Sequence, residues 1–290
     1  MKQHVVTKPK APFTSQSGKL EVHQVPAWED NLVWLIRYDD AGHCAAVDGP
    51  EPGPILDYCQ RHGLTLTTIL NTHTHGDHIG INLGLERLGR LAAMRVVGSA
   101  KVSDAVPGIT ERVSEGDTVV LGDVQGKVML TEGHINGHIS FVFEDLLFCG
   151  DTLFGAGCGY LFDGPAEAMY ESLSRLGQLP GDTKVCCAHE YTEDNLRFAW
   201  SVEPGNTDLA ERIDRVWYVR EAGESSVPST IGEEVATNPF LRQHSKALRE
   251  RVAAGLGISA QSSDQEMFAA TRQLKDKKAY RDGMNPPFPR

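Results

Sequence analysis

Short apolar runs bounded by turn residues recur through the first two thirds of the chain. Residues 32–38 and 66–70 are dense in leucine, β-branched and aromatic side chains, which predicts two strands. Residues 54–62 lie between them and predict a helix that Gly63 would end. By the same reasoning we expect further strands at residues 127–131, 139–143, 146–149 and 184–188, and helices at residues 82–88 and 167–176. Strands interspersed with helices predict a layered α/β sandwich.

The pattern changes after about Tyr191, where strand-like runs give way to helical ones. Helices are predicted at residues 209–220, 242–254 and 264–277. Ser263 and Glu266 have the spacing of a capping box at the start of the last of these helices. We therefore predict a main domain over residues 1–192 and a small helical domain over residues 193–290.

The composition argues against several classes of protein. Of the 290 residues, 40% are hydrophobic and 23% are charged, and no run approaches the roughly 18 consecutive apolar residues of a membrane span. The formal net charge of −11 argues against nucleic acid as a partner, since phosphate binding relies on clustered Lys and Arg. The first twenty residues lack the apolar stretch of a secretory signal, and the six cysteines form no C-x-x-C pair. We therefore expect a cytoplasmic protein with reduced thiols.

The strongest chemical signal follows the predicted strand at residues 66–70. Residues 72–78 read Thr-His-Thr-His-Gly-Asp-His, which places three imidazoles and a carboxylate within six positions. These ligands suit zinc or iron better than calcium or magnesium, which prefer oxygen. Gly76 is expected to let the backbone turn tightly enough for Asp77 and His78 to face a second ion. The alternative interpretation is a histidine-rich surface loop.

Three later features weaken that alternative. His134, Asp151 and His189 each come directly after an apolar, strand-like run. Layered α/β folds collect their functional groups at such strand ends, so the four segments favour one shared site. His138 follows His134 closely, and we expect it to support a ligand instead of acting as one.

At these positions the sequence resembles the metallo-β-lactamase superfamily, whose H-x-H-x-D-H motif is matched at residues 73–78. The resemblance implies an αββα sandwich that binds two divalent metal ions. The ligands that it implies are His73, His75 and His134 for one ion, Asp77, His78 and His189 for the other, and Asp151 as the bridge between them. Zinc is the expected metal, with iron and manganese as alternatives, because His and Asp ligands accept all three.

A metal pair of this kind indicates a hydrolytic reaction. Two cations that share a carboxylate would also share a water and lower its pKa toward about 7. The resulting metal-bridging hydroxide is the expected nucleophile, with Asp77 and Asp151 as the catalytic carboxylates around it. A thioester suits such a site, because a thiol has a pKa of about 8.5 and leaves with little help from an acid. This argument does not exclude lactones, β-lactams or phosphodiesters as substrates.

A closer resemblance, to the hydroxyacylglutathione hydrolases, extends over nearly the whole chain. It is carried by residues 150–154, 157–159, 188–192 with Asn195, 227–230 and 238–240. It implies hydrolysis of S-D-lactoylglutathione to D-lactate and glutathione, with a small glutathione thioester as the binding partner. The substrate contacts that it implies are Tyr191, Arg272 and Lys275, with Tyr160 and Phe162 after the Gly-Cys-Gly turn.

Basic residues gather near the C-terminal end. Residues 271–290 hold six of them, Arg272, Lys275, Lys277, Lys278, Arg281 and Arg290, against the acidic Asp276 and Asp282. Arg272 and Lys275 are three apart on a predicted helix, so they share a face that could clamp a carboxylate. Charge alone would equally fit a solvated helix face.

Two positions depart from the family pattern. Tyr160 stands where Lys or Arg is usual, and Glu132 replaces a common proline.

Two other functions compete with thioester hydrolysis. A persulfide dioxygenase of the same superfamily would use a single iron held by His73, His134 and Asp151. Those enzymes lack the long helical tail of this chain. A noncatalytic metal-binding or scaffold protein would keep the fold without the chemistry, but the complete set of implied ligands argues against it.

Overall fold

The computed structural model describes residues 3–282 and 288–289. Arg290, one of the six basic residues predicted to form a patch, lies outside them. The strands in the described part are β1 Phe13–Thr14, β2 Glu21–Ala27, β3 Asn31–Arg37, β4 His43–Val47, β5 Thr65–Leu70, β6 Arg95–Ser99, β7 Glu111–Val113, β8 Thr118–Leu121, β9 Val124–Leu130, β10 Ile139–Phe143, β11 Leu146–Gly150, β12 Leu153–Phe154, β13 Gly157–Cys158, β14 Lys184–Cys187 and β15 Ser229–Thr230.

These strands form two large sheets and one small hairpin. Strands β1 to β7 lie side by side in chain order, and the second sheet has the order β15-β14-β11-β10-β9-β8. In the first sheet β1 to β4 are antiparallel and β4 to β7 are parallel. The helices are α1 Gly53–His62, α2 Gly76–Arg87, α3 Ala166–Leu176, α4 Thr192–Val202, α5 Thr207–Glu221, α6 Ile231–Thr237, α7 Lys246–Leu256 and α8 Asp264–Lys277.

Strand β3 shows how the layers are built. Its alternate residues point to opposite faces of the sheet, as the period of two in a strand requires. Trp34 belongs to the core cluster that also contains Phe141 and Phe148 of the second sheet. Val33 belongs to a separate cluster with Ile55 of α1 and further residues of α2. The two sheets therefore pack face to face with helices outside them, and the predicted αββα sandwich is confirmed.

The predicted elements agree with the structure where a periodic run has a clear end. α1 ends at Gly63, whose φ of 66° is the left-handed conformation that glycine adopts easily. α8 covers the predicted residues 264–277, and Ser263 and Glu266 form the complete capping box at its start. α2 begins six residues before the predicted start at residue 82, so Asp77 and His78 lie in its first turn.

Two predictions about the C-terminal third were wrong. Strand pairing does not stop near Tyr191, because β15 pairs with β14 and forms the edge of the second sheet. α7 begins at Lys246 and not at Arg242. The hydroxyl of Ser245 accepts a hydrogen bond from the Leu248 amide and caps the helix there, while Arg242 pairs with a carboxylate outside the helix.

The C-terminal third is tied to the small β12–β13 hairpin by polar contacts. The buried carboxylate of Glu234 accepts hydrogen bonds from the Ala156 amide at 2.8 Å and from Arg212 at 2.6 Å. The side-chain amide of Asn238 donates to the carbonyls of Phe154 and Gly157. These contacts hold the hairpin in place, and a division at residues 192/193 stays a prediction.

Candidate metal centre

All seven predicted ligands meet at one edge of the sandwich. His73 and His75 follow β5, Asp77 and His78 begin α2, His134 lies between β9 and β10, Asp151 follows β11, and His189 follows β14. Within each of three groups the candidate ligand atoms lie within 4.8 Å of one another. Two groups consist of predicted ligands, and the third joins Asp48 to His73 and His78. The side chains at these strand ends therefore converge in the fold, and their role as metal ligands stays a prediction.

One group consists of three histidines and a carboxylate. Nδ1 of His75 lies 3.1 Å from Nε2 of His73 and 3.0 Å from Nε2 of His134. Nε2 of His134 lies 3.4 Å from Oδ2 of Asp151. His73 and His134 are buried, and His75 is half-buried, so this group lies just below the surface.

The other group lies on the opposite side of Asp151. Oδ2 of Asp77 lies 3.4 Å from Nε2 of His78 and 3.3 Å from Nε2 of His189. Oδ1 of Asp151 lies 3.4 Å from each of the same two nitrogens. The two oxygens of Asp151 therefore face different groups, as a bridging carboxylate would.

The spacing and the hydrogen bonding of these atoms fit metal ions. Four ligands placed tetrahedrally at 2.0–2.1 Å from a zinc ion lie about 3.3 Å apart, close to the separations found here. Among the described residues, Nε2 of His78 and Oδ1 of Asp151 are buried without a hydrogen-bond partner. Buried polar atoms are seldom left so, and a cation between them would satisfy both.

Acceptors behind the histidines fix which nitrogen faces the site. Nδ1 of His78 donates to Asp48 at 2.9 Å, and Nδ1 of His189 donates to Asp30 at 2.8 Å. Nδ1 of His134 donates to the backbone carbonyl of Tyr160 at 2.6 Å. A proton on Nδ1 leaves the Nε2 lone pair free, which is the form that a metal ligand needs.

Sequence reasoning missed these supporting acceptors. Asp48 directly follows β4, just as Asp151 follows β11, so its position after a strand was the available signal. Asp48 also accepts hydrogen bonds from the amide and hydroxyl of Thr72, at 2.8 and 2.7 Å. Asp30 sits in the turn between β2 and β3 and carries no comparable signal.

His138 lies beside the ligands and not among them. Its Nε2 accepts a hydrogen bond from the Asp151 amide at 3.2 Å, and its ring stacks on His73 with centroids 4.7 Å apart. Nδ1 of His138 lies 3.1 Å from the hydroxyl of Thr131. The ligand groups found within residues 3–282 do not include it.

The charges of the site are strongly coupled. Burial alone would lower the pKa of His189, but Asp151, Asp30 and Asp77 raise it to about 9. Burial likewise opposes ionisation of Asp151, yet His78 and His189 hold its pKa well below the usual range. A divalent cation would therefore have to displace protons from the imidazoles as it binds.

Two glycines at the site differ in what they require. Gly150 has φ of 47°, and a Cβ there would lie 2.3 Å from the Thr72 hydroxyl and 2.8 Å from Nε2 of His138. Gly76 has ordinary helical backbone, and a Cβ there would meet nothing within 4 Å. The expectation that Gly76 permits a tight turn was wrong, because the chain enters α2 through the extended residue His75.

Three of the predicted substrate contacts form an aromatic rim around the ligands. The Phe162 ring lies 5.1 Å from the ring of His75 and 5.3 Å from that of His134, measured between centroids. The Tyr191 ring stacks on His189 at 4.7 Å with an angle of 6° between the planes. Tyr160 contacts Phe162 and is 52% exposed. We name Tyr160, Phe162 and Tyr191 the aromatic rim.

Arg272 and Lys275 lie on the buried face of α8, so the alternative of a solvated helix face does not describe them. Nη1 of Arg272 donates to the Cys158 carbonyl at 3.1 Å. Nζ of Lys275 donates to Oδ2 of Asp194 at 2.9 Å. Arg272 thus contacts β13, which ends two residues before Tyr160, and Lys275 contacts α4, which begins directly after Tyr191.

Glu132, which departs from the family pattern, has a structural contact. Its Oε1 accepts hydrogen bonds from the Gly137 amide and from Lys101, both at 2.6 Å. These contacts close the loop that carries His134.

The six cysteines are buried and form no disulfide. Burial raises the pKa of Cys149 well above its usual value, which fits a packing role.

Sequence models of two families together match most of the chain. The model described as "Metallo-beta-lactamase superfamily" matches residues 34–189. The model described as "Hydroxyacylglutathione hydrolase C-terminus" matches residues 190–278.

Within the described residues, no helix is both long enough and apolar enough to cross a membrane.

Several relatives that are similar over nearly their whole length carry the same name. A protein named hydroxyacylglutathione hydrolase from Methylococcus capsulatus is 46% identical, covering 89% of this chain and 98% of its own. Proteins of the same name from Chelativorans and Pseudomonas fluorescens are 44% and 39% identical, each over 89% of this chain. They cover 98% and 99% of their own lengths.

Solved structures show the same fold at lower identity. ETHE1 from Myxococcus xanthus superposes with a TM-score of 0.57 at 23% identity, covering 91% of this chain and 90% of that one. The B3 metallo-β-lactamase BLEG-1 gives a TM-score of 0.54 at 19% identity, covering 76% of this chain and 99% of that one. At such identities the likeness concerns the fold alone.

Proposed function

The chain belongs to the hydroxyacylglutathione hydrolases of the metallo-β-lactamase superfamily, and on that premise we propose how its own residues hydrolyse S-D-lactoylglutathione to D-lactate and glutathione. It is a metal-dependent thioester hydrolase. The observation that carries the proposal is the position of Asp151, whose two oxygens face two separate ligand groups. A carboxylate in this position can hold two cations close enough to act on one water.

The site binds divalent metal, and we propose two zinc ions per chain, with iron or manganese as alternatives. His73, His75 and His134 would hold one ion and Asp77, His78 and His189 the other, with Asp151 shared. When bound, such ions lower the pKa of a water toward about 7 and polarise the carbonyl that is attacked. Asp77, His78 and His189 form a complete second group. A single-iron dioxygenase site would not require that group.

The chain's own groups then prepare and orient the reaction. Burial opposes the ionisation of Asp77, but His189 and His78 hold its pKa far below the usual range, so it stays a carboxylate. Asn31 donates to Oδ2 of Asp77 at 3.0 Å and fixes that oxygen toward the site. Asp77 and Asp151 thus keep negative charge where a water must lose its proton. The departing thiolate needs little protonation, because a thiol has a pKa of about 8.5.

We propose that the aromatic rim contacts the substrate. Phe162 and Tyr160 are 62% and 52% exposed beside the first ligand group, so their rings are available to an entering ligand. Tyr191 covers the second group from its stacked position on His189. Arg272 and Lys275 lie behind these residues and would bound the end of the site that takes glutathione. A substrate held here would present its thioester to both groups.

Turnover of S-D-lactoylglutathione by the purified, metal-loaded chain tests the proposal. We expect glutathione release that a thiol reagent detects, together with about two metal ions per chain by elemental analysis. His75→Ala is the control, because it removes one proposed ligand at a half-buried position. Turnover no higher than that of His75→Ala would refute the proposal. One iron per chain with oxygen consumption on glutathione persulfide would favour the dioxygenase instead.

Cellular location and other partners stay predictions. We propose a cytoplasmic enzyme whose partner is a small glutathione thioester. The net charge of −11 supports the expectation that nucleic acid is not a partner. Filter binding with labelled RNA and DNA at low salt would test that expectation.

A further inference from the structure

His134, a proposed ligand of the first ion, lies in a loop between β9 and β10 that one side chain spans. The Thr131 amide donates to the His138 carbonyl at 2.8 Å and closes the base of this loop. Within the loop, Gly137 is buried, and its amide donates to Oε1 of Glu132 at 2.6 Å. The Glu132 side chain therefore connects the backbone on the two sides of His134.

The carboxylate that spans the loop is itself held from the first sheet. Nζ of Lys101 donates to the same Oε1 of Glu132 at 2.6 Å. Lys101 belongs to a short 3₁₀ segment, Ala100–Ala105, that directly follows β6. In that segment the Val102 side chain packs so closely on the loop that a Cβ at Gly137 would lie 2.8 Å from it. The loop of the second sheet is thus joined to the first sheet beside the ligands.

His134 also connects the loop to the aromatic rim. Its backbone carbonyl accepts a hydrogen bond from the Phe162 amide at 3.0 Å, and its Nδ1 donates to the Tyr160 carbonyl at 2.6 Å. Its Nε2 lies 3.0 Å from Nδ1 of His75 and 3.4 Å from Oδ2 of Asp151. A displacement of the loop would therefore move one proposed ligand away from the others and disturb its contacts with the rim.

The two contacts of the Glu132 carboxylate differ in what they contribute. The side chain of Lys101 is 53% exposed, so water screens the ion pair and the pair adds little stability. The Gly137 amide is buried, so loss of its acceptor would leave a buried donor unsatisfied, which costs more than a surface ion pair. The reach of the Glu132 side chain therefore matters more than its charge.

We propose that Glu132 is a positioning residue for His134 and holds the first ligand group in place before an ion binds. A group that is already ordered binds an ion more tightly than one that must be ordered on binding. The inference rests on the proposed function, because it takes His134 as a ligand of the first ion. It adds a residue that is neither a ligand nor an acceptor behind a histidine, and on which only the first ion depends.

Zinc titration against a competing chelator tests this role. Glu132→Ala removes the acceptor, and Glu132→Asp keeps the charge but is shorter by one methylene group and does not reach Gly137. In both variants we expect the dissociation constant of one ion to rise by about 10-fold or more and that of the other to change by less than about 3-fold. Glu132→Gln keeps an oxygen at the same reach, and Lys101→Met removes only the cation. Both should therefore stay within about 3-fold of wild type.

Asp145→Ala is the matched control. The Asp145 carboxylate also accepts a backbone amide, that of Gln16 at 2.7 Å, and pairs with Lys184. It lies in the turn between β10 and β11, at the opposite end of β11 from Asp151, so both ions should bind as in wild type. A second control uses a His75→Ala background, in which the first group already lacks a ligand. Adding Glu132→Ala there should change the affinity of the remaining ion by less than about 2-fold.

Amide hydrogen exchange on the metal-free chain measures the loop without reference to activity. Peptides within residues 131–138 should exchange about 5-fold faster or more in Glu132→Ala and Glu132→Asp, and at the wild-type rate in Glu132→Gln. Peptides from β11 should exchange as in wild type, which also shows that a variant is folded. If Glu132→Ala does not fold, the comparison of Glu132→Asp with Glu132→Gln still decides between reach and charge.

The two levels of proposal fail differently. If the wild-type chain takes up no metal, or hydrolyses S-D-lactoylglutathione no faster than His75→Ala, the proposed function fails. If the wild-type chain binds two ions and turns over, but Glu132→Ala weakens both ions equally or neither, the positioning role is wrong. Wild-type binding in Glu132→Asp with weakened binding in Glu132→Gln would also overturn it, because charge and not reach would then matter.

Discussion

Oδ2 of Asp48 lies 2.9 Å from Nδ1 of His78, across the ring from the nitrogen that faces the second ligand group. Both residues are buried, and Asp48 also holds the backbone before His73 through Thr72. The carboxylate is therefore placed to orient proposed ligands in both groups, and it also forms a third candidate group with His73 and His78. Such supporting residues hold the ring of a metal-binding histidine in place and make it more basic.

Replacement of Asp48 by asparagine keeps the shape and removes the charge behind His78. We expect metal affinity to fall by about 10- to 100-fold, because the imidazole becomes less basic and less firmly oriented. Competition with a fluorescent zinc chelator measures this change. Asp182→Asn serves as the control, and an affinity equal to wild type in Asp48→Asn would contradict the role assigned to Asp48.

Alanine at Gly150 should be far more harmful than alanine at Gly76. The former needs a left-handed backbone and places a Cβ against Thr72 and His138, so we expect a loss of more than about 2 kcal/mol in the free energy of unfolding. Gly76→Ala should change it by less than about 1 kcal/mol. Urea denaturation with chelator present separates folding from metal binding. Similar losses in both variants would contradict the local geometry.

The buried pair of Arg212 and Glu234 should matter much more than its exposed neighbour. Arg212→Met leaves Glu234 buried without its counter-ion, and we expect a loss of about 3–5 kcal/mol. Arg215 pairs with Glu233 one turn away but is 56% exposed, so Arg215→Met should cost less than about 1 kcal/mol. Chemical denaturation of the two variants measures the difference. Equal losses would show that burial does not govern these pairs.

Lys275 should make stability rise with pH in the alkaline range. Burial lowers its pKa from 10.5 to about 8 in the folded chain, although Asp194 opposes that shift. Between those pH values the unfolded chain binds more protons than the folded chain, so the free energy of unfolding increases by at most about 1.4 kcal/mol per pH unit. Below pH 8 the side chain is protonated in both states and adds no slope.

Denaturation of wild type and Lys275→Met at pH 7, 8 and 10 measures this contribution, since other groups cancel in the difference. The stability difference should move in favour of wild type only above pH 8. Lys246→Met, on an exposed part of α7, is the control. A difference that stays constant across the range would contradict the buried, partly neutral state of Lys275.

The convergence of the proposed ligands could be predicted from sequence, because several of them combine a metal-binding side chain with a position just after an apolar strand. His134, Asp151 and His189 are far apart in the chain, yet the fold collects strand ends at one edge. Asp30 could not be predicted in this way, because its function depends on which strand end its turn approaches. That information lies in tertiary packing and not in local pattern.

The carboxylate partner of Lys275 could not be predicted from the sequence for the same reason. Lys275 and Arg272 were visible as a pair on one helix face, and that face is indeed buried. Asp194 lies on a helix that was not predicted, 81 residues earlier, and its approach to Lys275 follows from the packing of α4 near α8. A count of charged residues in the C-terminal segment alone therefore leaves out Asp194 and overstates the positive charge around Lys275.

Glu234 links two parts of the chain that a domain diagram would separate. It joins α5 and α6 to the backbone at Ala156, in the hairpin that comes directly after Asp151, the proposed bridging ligand. A chimaera that exchanges the helical third for that of a homologue would alter the support of this hairpin, even with every ligand retained. Such an exchange would carry catalytic consequences unless the hairpin and its anchoring partners moved together.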